Sequence, residues 1–344
     1  MTEVSNQKLD VGKSHALSTR LLALGFLGTV LLGLSVSAEA QQPTKMPRIG
    51  FLAGPSVSAQ LSRTEAFQQG LRELGYVEGK NILIEWRNAD GKLDSLTALA
   101  AELVKLKVDI IVTGGASATR AAKELTATIP IVMANDPDPI GAGFIASLAR
   151  PGGNITGLSN LAPEISGKRL EFLKEILPKL SRVAVLRTSS NPANDPLQKE
   201  TELAARAFAL KLHYLDVADS KDIGNAFQAA TKVRAEAILV LQSGVLNSKR
   251  KQTTDFAVKS RLPVMYPTPE WVEDGGLLVY SANSPDLSRR AATYVDKILK
   301  GAKPADLPVE QPKKFEFIIN LKAAQQIGLT IPPNVLARAD KVIK

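Results

Sequence analysis

The sequence predicts an α/β protein of two doubly wound, parallel-sheet lobes joined by a multi-strand hinge. Three observations carry this. After Pro47, apolar runs without polar alternation are separated by stretches of helical periodicity, the pattern of parallel strands covered on both faces. The order of those runs repeats about 130 residues further on, too long for a solenoid repeat and the size of one α/β lobe. The 344 residues suit two such lobes better than one.

The elements follow in order. "RIGFLAG" reads as a buried strand. "TEAFQQGLRELG" places Ala66, Phe67, Gly70, Leu71 and Leu74 on one helical face and stops at Gly75, a natural C-cap. "NILIEWR" is a strand, and "LDSLTALAAELVKL" is a helix with Leu96, Leu99, Ala100 and Leu103 inward. "VDIIVTGG", "SATRAAKELT" and "IPIVMAND" give strand, helix and strand. The second round echoes the first. Arg48 to Leu52 matches Arg182 to Leu186, "VDIIVTGG" matches "AEAILVLQSG", and "IPIVMAN" matches "LPVMYPT".

Three segments are read as crossings between lobes. "RPGGNITGLSNLAPE", Arg150 to Glu164, is rich in Gly, Pro and Asn and holds a short strand, Ile155 to Leu158. Asn283-Ser284-Pro285 breaks a strand from a helix that runs from about Asp286 to Lys300, with Gly301 as its stop. "KPADLPVEQPKKFEFIINL" is a Pro-rich connection into another strand. The expected division is 41–158 plus 283–310 for the N-terminal lobe and 159–282 plus 311–344 for the C-terminal lobe. A multi-strand hinge suits closure around a ligand.

Residues 1–40 read as a secretory signal: Lys8, Lys13 and Arg20, then the uncharged Leu21 to Val36, then Ala38-Glu39-Ala40. Cleavage is expected before Gln41. The alternative, a membrane anchor, would need about 20 apolar residues; this core is shorter and contains three glycines. There is no cysteine, hence no disulfide framework and no thiol for a lipid. The expected product is soluble, periplasmic and not membrane-embedded after cleavage. The net charge of +9 comes from cations scattered along helices, with few aromatics between them, so no nucleic-acid partner is expected.

Open parallel sheets bind ligands beyond the carboxyl ends of their strands. Candidate positions therefore come in pairs: Gly54-Pro55-Ser56 with Ser189-Ser190-Asn191, Gly114 to Thr119 with Gln242-Ser243-Gly244, and Asn135-Asp136 with Tyr266 to Trp271. "TGGASATR" fits neither G-x-x-x-x-G-K-[ST] nor G-x-G-x-x-G, which argues against phosphate chemistry. Around Ser117, Ala118 and Thr119 it still offers backbone N–H groups, two hydroxyls and a positive helix end, which suit a carboxylate. Alternatively, Ser117 caps its own helix. Tyr266 and Trp271 can stack on a flat apolar ligand and Glu270 can accept from an amine; equally, Trp271 can pack in the core. Asn160 and Asn191 carry amides able to orient a small polar ligand.

Catalysis is not expected. Beyond the leader the single histidine, His213, falls in a strand away from these ends. No G-x-S-x-G elbow occurs, and the carboxylates are scattered. Asp136 and Asp138 in "NDPDP" are acids spaced by proline, which read as turn formers. No metal and no cofactor are expected.

The segments "PRIGFLAG", "AFQQGLRELGYVEGKNILIEWR", "VDIIVTGGASATRAAKELTATIPIVMANDPDPIGAGFIASLARPGGNITGLSN", "EISGKRLEFLKEILPKLSRVAVL" and the stretch from "LPVMYPTPEW" to the C-terminus carry a family resemblance. Together they resemble the ABC-transporter substrate-binding proteins of the periplasmic-binding-protein type I fold, in the branch that includes tryptophan and other aromatic amino-acid binders. The resemblance implies an exported, monomeric receptor that closes on a small-molecule solute and docks on ABC permease transmembrane subunits. It implies an amino acid or related carboxylate as solute. Ser117 and Thr119 match the family's helix-terminus site, and Asn135-Asp136 its loop after the fourth strand. Tyr280-Ser281-Ala282-Asn283 departs from the Ser-Tyr-Gly usual there. The rival readings are a sensory receptor for a membrane signalling partner, a cleft enzyme, and a transcriptional regulator. The last would need a DNA-reading helix pair where this chain has its export signal.

Overall fold

Each strand of the first sheet sorts its side chains to two sides, as a pleated backbone must. β1 (Arg48–Ala53) turns Ile49, Phe51 and Ala53 to one face and Leu52 to the other. With β2 (Leu83–Asn88), β3 (Ile110–Thr113), β4 (Ile131–Asp136) and β5 (Ile155–Ser159) it forms a sheet of order β2-β1-β3-β4-β5. Every pairing in it is parallel. The computed structural model describes residues 46–54, 57–188 and 194–344; the expected export signal with its expected cleavage point, Ser56 and Asn191 lie outside the described residues.

The second sheet repeats the plan. β6 (Arg182–Arg187), β7 (Lys211–Asp216), β8 (Ala237–Val240), β9 (Val264–Tyr266) and β10 (Leu278–Ala282) lie in the order β7-β6-β8-β9-β10. That is the first sheet's order strand for strand. Here too alternate residues divide, Val183 and Val185 to one core cluster, Ala184 and Leu186 to the other. Two further strands extend the β10 edge: β11 (Phe315–Asn320), antiparallel to β10, and β12 (Lys341–Ile343), parallel to β11. The sequence signalled a strand at β11 but not its direction, which follows from the return of the chain out of the other lobe.

Helices cover both faces of both sheets. α1 (Val57–Glu73), α2 (Leu96–Lys105) and α3 (Ala116–Leu125) serve the first. α4 (Ser166–Ile176), α5 (Asn194–Ala207), α6 (Asp222–Lys232), the short α7 (Gly244–Ser248), α8 (Arg250–Ser260) and the short α9 (Glu270–Glu273) serve the second. α10 (Ser284–Leu299) leaves the second sheet and packs on the first, with Leu287, Ala291 and Val295 against Phe51, Phe67 and Leu71. α11 (Leu321–Gln326) and α12 (Pro333–Leu336) return to the second sheet's core. The chain thus passes between the layers three times, from β5 to α4, from β10 to α10 and from α10 to β11.

The α1–α10 crossing needs a residue without a side chain. A Cβ on Gly70 would lie 2.3 Å from the Arg289 carbonyl oxygen and 2.9 Å from Ala292 Cβ. Gly70→Ala is expected to destabilise the protein by about 1–3 kcal/mol through overpacking, read as a lower urea midpoint with unchanged slope.

Some boundaries differ from the sequence reading. α1 starts at Val57, earlier than the periodic stretch from Thr64, because the exposed Val57 and Leu61 hide the apolar face of its first turns. Leu74 lies past the helix end and is exposed, not inward. Gly75 does act as the stop: its φ is +88° and the next N–H, of Tyr76, donates to the Leu71 carbonyl at 2.9 Å. Asn283-Ser284-Pro285 proves to be a cap rather than a gap. Asn283 Oδ1 accepts the Asp286 N–H at 2.7 Å, and Pro285 sits in the first turn where its missing N–H costs nothing.

Candidate functional site

The carboxyl ends of the two sheets face each other. The Leu93 side chain sits between them: a Cβ on Gly54, after β1, would lie 2.9 Å from it, and one on Gly244, after β8, 3.0 Å. A second bridge is ionic. Arg63 on α1 donates to Glu270 on α9 at 2.6 Å, and both side chains are largely withdrawn from water. Burial raises the Glu270 carboxyl, but Arg63, the Thr268 hydroxyl and Arg250 outweigh it and hold the group below the usual carboxylate range. Glu270 is therefore committed to a guanidinium across the cleft and does not stand ready for a ligand amine.

On the first lobe, β3 ends at Thr113 and turns through Gly114-Gly115 into α3. Gly115 has φ +136°, a backbone that β-carbon residues resist, which lets the helix start immediately above the sheet. No side chain caps α3. Its first backbone bond runs from Thr119 N–H to the Gly115 carbonyl at 3.0 Å. The N–H groups of Ala116, Ser117 and Ala118 therefore have no acceptor within the helix. Ser117 is exposed in the first turn and does not cap its helix, which removes that alternative.

The neighbours of Ser117 behave differently from expectation. Ala118 turns its methyl into the core and offers only its N–H. Thr119 is fully buried, its hydroxyl 2.8 Å from Thr113 Oγ1 and 3.1 Å from Asp136 Oδ2. It fastens α3 to the ends of β3 and β4. Asp136 is equally buried, with Oδ1 lacking a partner. Burial pushes its carboxyl up to about 7, against the downward pull of the Thr119 hydroxyl and the Asp138 N–H.

Asn135 and Asn160 are brought together, but by each other. Asn160 Nδ2 donates to Asn135 Oδ1 at 2.7 Å, and Asn135 Nδ2 donates to Ser284 Oγ at 3.1 Å. Asn160 lies on the β5–α4 crossing and Ser284 opens α10, so the chain of amides ties two crossings at the hinge.

On the second lobe the aromatic pair is a core feature. Tyr266 and Trp271 are buried and stack on one another at 4.7 Å and 18°. The alternation along β9 puts Tyr266 with Val264 in one core cluster and Met265 in the other, and burial raises the Tyr266 phenol. Trp271 donates its indole N–H to Asn247 at 3.2 Å. Ser243 is also engaged: it caps α7 by accepting the Leu246 N–H at 3.3 Å and lies 2.7 Å from Thr188 Oγ1.

Three cleft residues escaped the sequence reading. Gln60 is 1% exposed, and neither Nε2 nor Oε1 has a hydrogen-bond partner. Its amide lies at the β3–α3 joint: a Cβ on Gly114 would be 3.3 Å from Nε2. Its signal was available, a polar residue seven and eleven positions before the buried Phe67 and Leu71 on the same helical face. Arg63, three residues on, keeps an unpartnered Nε besides its bond to Glu270.

The third is Arg169, 2% exposed on α4. Its Nε donates to the Tyr280 carbonyl at 2.8 Å and its Nη2 to the Pro267 carbonyl at 3.1 Å. These carbonyls lie one step beyond Val279–Tyr266, a paired position of β10 and β9, where the strands part. Nη1 has no partner, and burial pulls the guanidinium down to about 10. Arg169→Lys keeps the charge but cannot span both carbonyls. A loss of about 1–3 kcal/mol is expected in chemical unfolding, the cost of one buried carbonyl left unpaired.

Among the described residues no cluster of three or more His, Asp or Glu is placed to hold a metal ion, and no helix is long and apolar enough to cross a membrane. His213 lies on β7, the edge strand of the second sheet, away from the cleft. Between the lobes the structure sets unpartnered polar atoms of Gln60 and Arg63 and the uncapped start of α3.

Known proteins share this construction. The model of the ABC transporter substrate-binding protein family matches residues 49–343. A tyrosine-binding protein of Clostridioides difficile is 26% identical over 260 residues, 74% of this chain and 73% of its own. Among solved structures, a conserved domain protein of Vibrio cholerae superposes with a TM-score of 0.81 at 29% identity, covering 87% of this chain and all of its own. An ABC domain from Streptococcus pneumonia, in complex with L-Trp, superposes with a TM-score of 0.80 at 29% identity, over 86% of this chain and 99% of its own.

Proposed function

The chain belongs to the ABC transporter substrate-binding proteins, and from that premise we propose that it is the periplasmic receptor of an importer for an α-amino acid, first of all an aromatic one. The observation that carries the solute class is the uncapped N-terminus of α3 together with the buried, unpartnered Gln60 amide beside Gly114, just before that helix. Such a terminus attracts a carboxylate. Relatives that bind L-Trp and tyrosine support the same class. In this reading the leader is removed before Gln41, and the lobes comprise 41–158 plus 283–310 and 159–282 plus 311–344. The monomer closes about the hinge tied by Asn135, Asn160 and Ser284, and Arg63–Glu270 locks the closed form. The closed face then docks on the permease, and the solute leaves unchanged; the protein is no enzyme.

The test is calorimetry of the mature protein against the twenty L-amino acids, organic acids, purines and sugars. Saturable binding of an aromatic amino acid, recovered intact afterwards, is the expected result. No heat with any amino acid or organic acid would end this assignment of solute.

A further inference from the structure

We propose that Gln60 reads the solute as a zwitterion, its Oε1 accepting from the α-ammonium group while its Nε2 donates to the α-carboxylate held at the start of α3. This rests on the amino-acid reading and sharpens it. Gln60 is buried to 1% exposure, on the helical face that carries Phe67 and Leu71. A leucine or methionine would fill that position without leaving polar atoms stranded. Instead the chain carries an amide with an unmet donor and an unmet acceptor. It presses on Gly114, one residue before the N-cap of a helix that nothing caps.

An amide of this kind is satisfied only by a partner that offers an acceptor and a donor side by side. A carboxylate alone leaves Oε1 facing oxygen. An amine alone leaves Nε2 without an acceptor and the helix N-terminus without an anion. An α-amino acid carries both groups on one carbon. The consequence is selectivity against the deaminated acid and the decarboxylated amine, whatever the side chain.

Gln60→Met removes both polar atoms while keeping the length of the side chain. Calorimetry of wild-type protein and variant uses L-tryptophan and L-tyrosine, 3-(indol-3-yl)propanoic acid, and tryptamine. The wild type is expected to prefer L-tryptophan over the propanoic acid by at least about 100-fold. In Gln60→Met the Kd for the amino acid should rise about 10- to 100-fold and the preference over the propanoic acid shrink with it. The thermal midpoint of the unliganded variant should equal or exceed that of the wild type, because a stranded amide has been removed. A wild type that binds and a variant that binds equally well, with the same preference, would overturn the role of Gln60 alone. So would a drop in the unliganded midpoint, since the amide would then be serving the fold. A wild type that binds none of the twenty L-amino acids removes the solute class and this assignment together.

Discussion

Between about pH 5 and pH 8 the wild-type protein is expected to lose more stability than Asp136→Asn, and at pH 8 the variant should be the more stable of the two. The cause is the buried carboxyl at the end of β4, with a folded-state pKa near 7 against an ordinary value of 3.8. A raised carboxyl binds its proton more tightly in the fold than in the unfolded chain. The stabilisation it gives is fully present below the unfolded value and disappears as the pH climbs through 7. Its full size is about 4 kcal/mol, or roughly 2 °C of melting temperature for each kcal/mol in a chain of this length. Burial moves Glu164 and Glu316 in the same direction, while Glu310 is held low. Those groups contribute to both proteins, so the difference between the two curves isolates Asp136. Parallel curves from pH 5 to pH 8 would show that Asp136 stays ionised in the fold.

Glu270→Gln is expected to weaken solute binding about 100-fold, corresponding to about 3 kcal/mol. Removing one partner of a buried ion pair costs about 3–5 kcal/mol because the other charge stays behind unpaired. Arg63 and Glu270 retain slight contact with water, 12% and 16% exposure, which places this pair at the low end. The cost falls on the closed form alone, since opening the cleft returns Arg63 to solvent. Apparent affinity then drops with the closed fraction. Small-angle scattering should show the variant expanded at solute concentrations that compact the wild type. A double variant, Arg63→Met with Glu270→Gln, should recover part of the affinity because no lone charge is buried. Equal Kd values for wild type and Glu270→Gln would mean the pair contributes nothing to closure.

The central strands were legible because both their faces are buried, which leaves apolar runs without a polar partner phase. The repeat was legible because both sheets place their strands in the same order. The site was far less so. Sequence position put Thr119, Ser243 and Tyr266 at strand ends, where cleft residues belong. Only packing reveals that all three turn inward, to Asp136, to the start of α7 and to Trp271. Arg63 and Glu270 stand 207 residues apart and meet only when two lobes approach, so no local pattern pairs them. Gln60 was missed for a different reason. Its helix begins with the exposed Val57 and Leu61, and an apolar stripe broken at its start conceals a polar residue on the buried face.

The interleaved wiring of the lobes also fixes when the protein can be finished. Leu287, Ala291 and Val295 of α10 complete the cover of Phe51, Phe67 and Leu71 from near the start of the chain, and the outer edge of β10 has no neighbour until β11 is made. Neither half has its full packing until these late segments have been made. A newly made chain therefore stays pliable, and its last segments seal the fold of both lobes.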